Sequence, residues 1–130
     1  MQWNQEKNHG FSHSDEPYLP TDSKLSAPTV AQQLADEESL LNLVKKLVWL
    51  RNENPGFAEV ANLKILEEGY PFVYERMAGG KKFMIAVNPS GEEKKCAIPA
   101  LKEIIANQNV KFEGTDAYMG GVSCFVAEVL

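Results

Sequence analysis

Between Asp36 and Asn54 the chain reads DEESLLNLVKKLVWLRNEN, its one long helical pattern, and the rest of the molecule has to be built around it. Asp36 is placed to cap the N-terminus and Glu37 and Glu38 put negative charge in the first turn. Lys45, Lys46 and Arg51 lie toward the other end, and Pro55 stops the helix. At about 100° per residue, Leu40, Leu41, Leu43, Val44, Leu47, Val48 and Leu50 fill roughly half the circumference, and Trp49 projects from the opposite side. A face that broad fits either a well-buried helix of one globular domain or a helix made to sit between two bodies, of which the chain supplies one.

At 130 residues and 44% apolar content the chain can bury a core, as one folded unit or a unit with an appendage. A net charge of -5 without a long Lys/Arg cluster argues against nucleic acid and anionic membrane surfaces as partners. No apolar run approaches the roughly 18 residues of a membrane span. The opening MQWNQEKNHGF has neither the basic nor the apolar part of a signal peptide, so a cytoplasmic location is expected. Cys96 and Cys124 lack CxxC spacing and a neighbouring His cluster, and are expected to be buried free thiols.

Residues 1–35 contain Gly10, Pro17, Pro20 and Pro28, with no sustained periodicity, and read as a long loop. Trp3, Phe11, Tyr18 and Leu19 are more apolar surface than a disordered tail needs, so the loop should lie on something. Thr29 is placed to cap a short helical turn through Val30 to Leu34. After Pro55-Gly56 the period changes to that of strands: Val60 to Leu66, Phe72 to Met77, the apolar run Phe83 to Val87, and a more polar edge strand from Glu92 to Ile98. Gly79-Gly80 marks a tight hairpin, Asn88-Pro89-Ser90-Gly91 a turn, and Gly120-Gly121 the last turn. Ala100 to Ala106 reads as one or two helical turns or a wandering link, and Val110 to Glu113 and Val122 to Val129 as the final strands. The class is mainly β, an antiparallel β-sandwich preceded by a long loop and one long α-helix.

No catalytic or cofactor motif emerges. The chain has no GxxxxGK[ST], GxSxG or HExxH, and no cofactor or metal is called for. His9 and His13 flank Gly10 in a segment without helical pattern and read as loop histidines. Ser12 and Ser23 lack an orienting base, and Asp15, Glu16, Asp22, Asp36, Glu37 and Glu38 are accounted for by solvation and capping.

Four motifs in order carry a resemblance. Met1-Gln2-Trp3 with Gly10-Phe11-Ser12 and Pro17-Tyr18-Leu19-Pro20 resembles the MQW…AGF…PW-x-P stretch of α-glucosidases, and Thr29-Val30-Ala31-Gln32-Gln33 their NVEAQ. Asp36 to Pro55 resembles their DPDSLLNFYRKLIALRKENP helix, and Phe72-Val73-Tyr74-Glu75-Arg76 their FAYER strand. These belong to the α-amylase superfamily, glycoside hydrolase family 13, in particular the oligo-1,6-glucosidases and trehalose synthases. His9 stands where an alanine is usual. The resemblance covers essentially the whole chain and weakens after about Gly91.

The resemblance implies that residues 1–55 are the end of a (β/α)₈ catalytic barrel, namely the loop after strand eight and the last helix, and that residues 56–130 are the C-terminal β-sandwich. The missing barrel would be the partner of this chain, and the superfamily's Asp nucleophile, Glu acid/base and supporting Asp would lie upstream. Gln2 and Trp3 alone would stand near the sugar of the parent, whose substrate would be an α-linked oligosaccharide. In isolation, the uncovered helix is expected to self-associate. A carbohydrate-binding sandwich is the alternative, with Tyr70, Phe72 and Tyr74 as an aromatic platform if those rings stand coplanar and exposed.

Overall fold

In the structure, a computed structural model, residues 1–20, 27–59 and 62–130 are described. They form two compact units, Met1–Lys45 and Lys46–Leu130, with the boundary inside the long helix.

The first unit is held by hydrogen bonds more than by burial. Helix α1 (Val30–Ala35) opens with a full capping box: Thr29 Oγ1 accepts from Gln32 N at 3.2 Å, and Gln32 Oε1 accepts from Thr29 N at 2.9 Å. The next helix, α2, runs Leu40–Glu53, starting three residues later than the sequence suggests. Asp36 does not cap it. Asp36 ends α1 in an extended conformation, and its Oδ1 accepts from Glu38 N, so the DEES stretch is a turn and Ser39 takes the cap, its Oγ accepting from Asn42 N at 3.3 Å. Glu37 and Glu38 therefore precede the first turn. The corner between α1 and α2 is cross-satisfied. Leu41 N donates to Gln33 Oε1 at 3.2 Å, and Asn42 Nδ2 donates to the carbonyls of Gln33 at 2.9 Å and Asp36 at 2.8 Å.

The second unit holds the sheet. Its strands are β1 (Leu63–Glu67), β2 (Phe72–Ala78), β3 (Lys81–Asn88), β4 (Lys94–Ala97), β5 (Leu101–Glu113) and β6 (Asp116–Val129). All pairings are antiparallel, in the order β1-β2-β3-β6-β4, with β5 also on β6. Val60 and Ala61 of the first expected strand lie outside the described residues. Gly79 and Gly80, at φ 57° and 77°, make the β2-β3 hairpin as expected, because a tight hairpin needs positive φ at both central residues.

Two expectations fail in the long β5-β6 hairpin. Ala100 to Ala106 is neither helix nor link; it is strand, paired to β6 from Leu101↔Val129 onward. Leu101, Ile104 and Ile105 have helical spacing, and β5 reconciles that spacing with a ladder through irregularities at Leu101/Glu103 and Ile104/Ala106. Nor is Gly120-Gly121 a chain-reversing turn. The reversal is at Gly114, φ 59°, and the two glycines lie within β6, where a Cβ on Gly120 would come within 2.5 Å of Asn109 Nδ2 and one on Gly121 within 2.6 Å of Gly91 O.

At that point the hairpin folds over. On the ladder, Phe112 stands opposite Ala117 and Phe125 opposite Asn107, yet the two rings meet edge to face at 5.2 Å. Residues that far apart along an extended strand touch only if the strand bends. The bend brings Cys96, Ile98, Val110, Ala117 and Met119 against Val73, Met84, Ala86, Phe125 and Ala127, and this is the core of the sandwich. Buried Asn88 pins the bend, donating to the carbonyls of Glu92 at 2.9 Å and Gly120 at 3.0 Å while its Oδ1 accepts from Ser90 Oγ at 2.6 Å. Cys96 is buried and Cys124 half-buried, both free thiols. Among the described residues no helix is long and apolar enough to cross a membrane.

Candidate functional site

Gln2 and Trp3 are fixed by backbone. The orphan amides at the start of α1 take them as acceptors: Val30 N donates to Gln2 O and Ala31 N to Trp3 O, both at 2.9 Å. Trp3 N and Asn4 N in turn donate to His9 O at 2.9 and 3.2 Å, so the opening segment is clamped from both sides. Asn8 and His9 adopt positive φ to close this loop, a 3₁₀ turn over Lys7–Gly10. Trp3 stays about half exposed, at 48%. The long loop therefore has order of its own in the described residues. What it presents is a half-exposed Trp, not a cluster of reacting groups.

Three acids of this segment have other partners. Asp15 pairs with Lys7, the Glu6 carboxylate accepts from the Asn4 amide at 3.1 Å, and Asp36 serves its own turn. Asp22 and Ser23 lie outside the described residues. Among the described residues, no group of three or more His, Cys, Asp or Glu stands ready for a metal.

The apolar circumference of α2 divides into two stripes. Leu43 and Leu50 are buried and Leu47 half-buried. Leu40, Val44 and Val48, successive at i, i+4 and i+8 on the adjoining stripe, are 67%, 46% and 52% exposed. Trp49, on the far side, is 63% exposed. Within the second unit, a cavity of about 310 Å³ is lined by Leu47, Leu50, Phe57, Tyr74, Ile85 and Phe125 among others. Arg76 borders it, its Nη2 donating to Phe57 O and Glu59 O at 2.8 Å each, which ties the 3₁₀ turn Pro55–Ala58 to the sheet. Burial raises the Tyr74 phenol above its ordinary value. Burial also pushes the Cys96 thiol up to about 11, with Glu67 and Asp116 adding to it, and raises that of Cys124, so neither is poised as a nucleophile.

The aromatic platform does not form. Phe72 and Tyr74 are half-buried, their rings 5.5 Å apart and tilted by 39°, and only Tyr70 is well exposed. Sequence reasoning passed over Asn88 and Arg76 as a turn residue and a strand residue. The polar type of each, inside an otherwise apolar or alternating stretch, was the available signal.

Residues 1–59 match the family profile "Alpha amylase, catalytic domain". The resemblance to the α-amylase superfamily is borne out. The chain is 28% identical over 112 residues to the glucan 1,6-alpha-glucosidase of Streptococcus dysgalactiae subsp. equisimilis, covering 85% of this chain and 21% of that protein. It is 29% identical over 117 residues to the probable oligo-1,6-glucosidase 2 of Bacillus subtilis, covering 84% of this chain and 20% of the relative. It thus spans about a fifth of the length of these curated relatives. Among solved structures, the trehalulose synthase MutB from Pseudomonas mesoacidophila superposes on 99% of this chain and 24% of its own, with a TM-score of 0.80 at 17% identity, a likeness of fold.

Proposed function

We propose that residues 1–55 are the closing segment of an α-glycosidase barrel, that residues 56–130 are its C-terminal β-sandwich, and that the chain's own role is to cover the barrel and fix its last helix. The parent would act on α-glucosidic bonds, the 1,6-linkage being the one its relatives are named for. The observation that carries this reading is the stripe Leu40, Val44 and Val48: three large apolar side chains exposed in register on a helix whose adjoining stripe is buried. A barrel would cover it. Gln2 and Trp3, held at the start of α1, would sit at the barrel's C-terminal face, where such folds keep their active sites.

On this reading the chain carries no catalytic residue. Retaining hydrolysis of a glycoside needs two carboxyl groups about 5 Å apart across the scissile bond. Among the described acids of this segment, Asp15 pairs with Lys7, and Glu6 and Asp36 accept from groups in their own turns. Purified chain incubated with an aryl α-glucoside and with isomaltose is expected to give no turnover. Turnover that survives repurification and is lost in Asp15→Ala, Glu16→Ala or Asp22→Ala would move the active site into this segment and overturn the proposal.

A further inference from the structure

Trp49 belongs to neither stripe of α2, and no role described so far uses it. It borders a groove of about 320 Å³ whose other walls come from the end of the helix and from β3, β5 and β6. Leu50 and Phe83 supply apolar wall, and Glu53, Lys81, Glu103 and Glu128 supply the polar groups. Glu128 is 6% exposed and rigidly placed: Lys102 Nζ lies 2.7 Å from one carboxylate oxygen and Lys81 Nζ 3.4 Å from the other. A carboxylate offers about four acceptor positions, so two ion-pair contacts leave capacity for a ligand donor.

An exposed indole beside one carboxylate held in place, two exposed carboxylates and an ammonium donor matches one ligand chemistry. A pyranose presents a face of C–H groups, which packs on an aromatic ring, and a rim of hydroxyls, each able to donate and accept. Three carboxylates against Lys81 and the Lys102 that pairs with Glu128 leave a net negative charge that disfavours anionic ligands, and the polar rim disfavours a purely apolar one. We infer that the groove bounded by Trp49, Glu53, Lys81, Glu103 and Glu128 is a binding site for a neutral gluco-oligosaccharide, stacked on Trp49. The choice of an α-linked ligand rests on the function proposed above.

The test is tryptophan emission of the chain titrated with isomaltotriose, with cellotriose as the β-linked comparison. A saturable change is expected with isomaltotriose, unchanged in Trp3→Ala; calorimetry, which does not depend on the indole, should show the affinity weakened about tenfold in Trp49→Ala and largely restored in Trp49→Phe. Glu103→Gln should weaken it less. Circular dichroism and melting of Trp49→Ala exclude unfolding as the cause. Absence of saturation up to about 10 mM, binding undiminished in Trp49→Ala, or binding of cellotriose alone would overturn the proposal. Failure of the α-glucosidase reading would register separately, as absence of hydrolysis by the full-length parent whatever the groove binds.

Discussion

The two units solve the same problem differently. In Lys46–Leu130, Val73, Phe83, Met84, Met119 and Phe125 are all at 1% exposure or less, and the ladder satisfies the backbone around them. In Met1–Lys45 only Thr29, Ser39 and Leu43 among the described residues are buried, while Trp3, Phe11, Tyr18, Leu19, Leu34 and Leu40 stay exposed. The first unit is precise in its hydrogen bonds and poor in burial. Capping boxes and shared carbonyls fix geometry, but each contributes only about 1 kcal/mol net, and the entropy of ordering a chain is offset mainly by apolar area removed from water. The second unit has its own reason to fold, whereas the first leaves most of its apolar surface uncovered, as the proposed barrel partner would require.

The largest effect should come from striking the second unit. Phe125→Ala removes a fully buried ring that joins the two halves of the bent hairpin, and should cost about 3–5 kcal/mol in chemical denaturation. Trp3→Ala should cost far less, since about half of that side chain is already in water. Equal losses would erase the distinction between the units.

Next in size is association. With Leu40, Val44 and Val48 uncovered, the chain should self-associate at high concentration, and Val44→Lys with Val48→Lys should return it to a monomer by light scattering without lowering its melting temperature. A wild-type chain that stays monomeric would show that the stripe needs no cover.

Thr29→Ala, which deletes half of the capping box that anchors α1, should cost about 1 kcal/mol and loosen residues 1–35 selectively, visible as faster amide exchange at Val30 and Ala31.

The smallest effect is electrostatic. The hydrogen bond from Lys102, aided by the charges of Lys102 and Lys81 and opposed by burial, holds the Glu128 carboxyl below its ordinary range. A group depressed on folding stabilises the protein above its unfolded pKa of about 4.3, and that contribution is lost as pH falls through the folded value. Thermal melts from about pH 7 to about pH 2 should therefore show a shallower acid limb in Glu128→Gln than in the wild type. A steeper limb would give the interaction the opposite sign.

Where local chemistry decides, the sequence was legible. Gly79-Gly80 reads as a tight hairpin, Phe83 to Val87 as a central strand and Thr29 as the cap of a short helical turn, and the structure has all three. It misled where tertiary contacts decide. Leu101, Ile104 and Ile105 have helical spacing, and only the ladder with β6 makes them strand. Gly120-Gly121 looked like a reversal because glycine pairs usually are. Their lack of side chains serves instead the close approach of Asn109 and of the Gly91 backbone at the bend. Asp36 suits a cap by type, but Ser39 holds the position because α1 ends at Asp36. Of the candidate site, the position of Gln2 and Trp3 came from resemblance, and the hydrogen bonds that hold them to α1 could not be read from spacing, because they join residues 28 apart in the chain.

Hydrogen exchange of the isolated chain, followed by mass spectrometry under native conditions, tests the contrast between the units most directly. Amides of β3 and β6 should exchange only through global unfolding, while those of residues 1–20 exchange far earlier through local opening. Protection of residues 1–20 equal to that of β3 and β6, in a chain shown to be monomeric, would contradict the account, because the first unit would then need no partner to complete it.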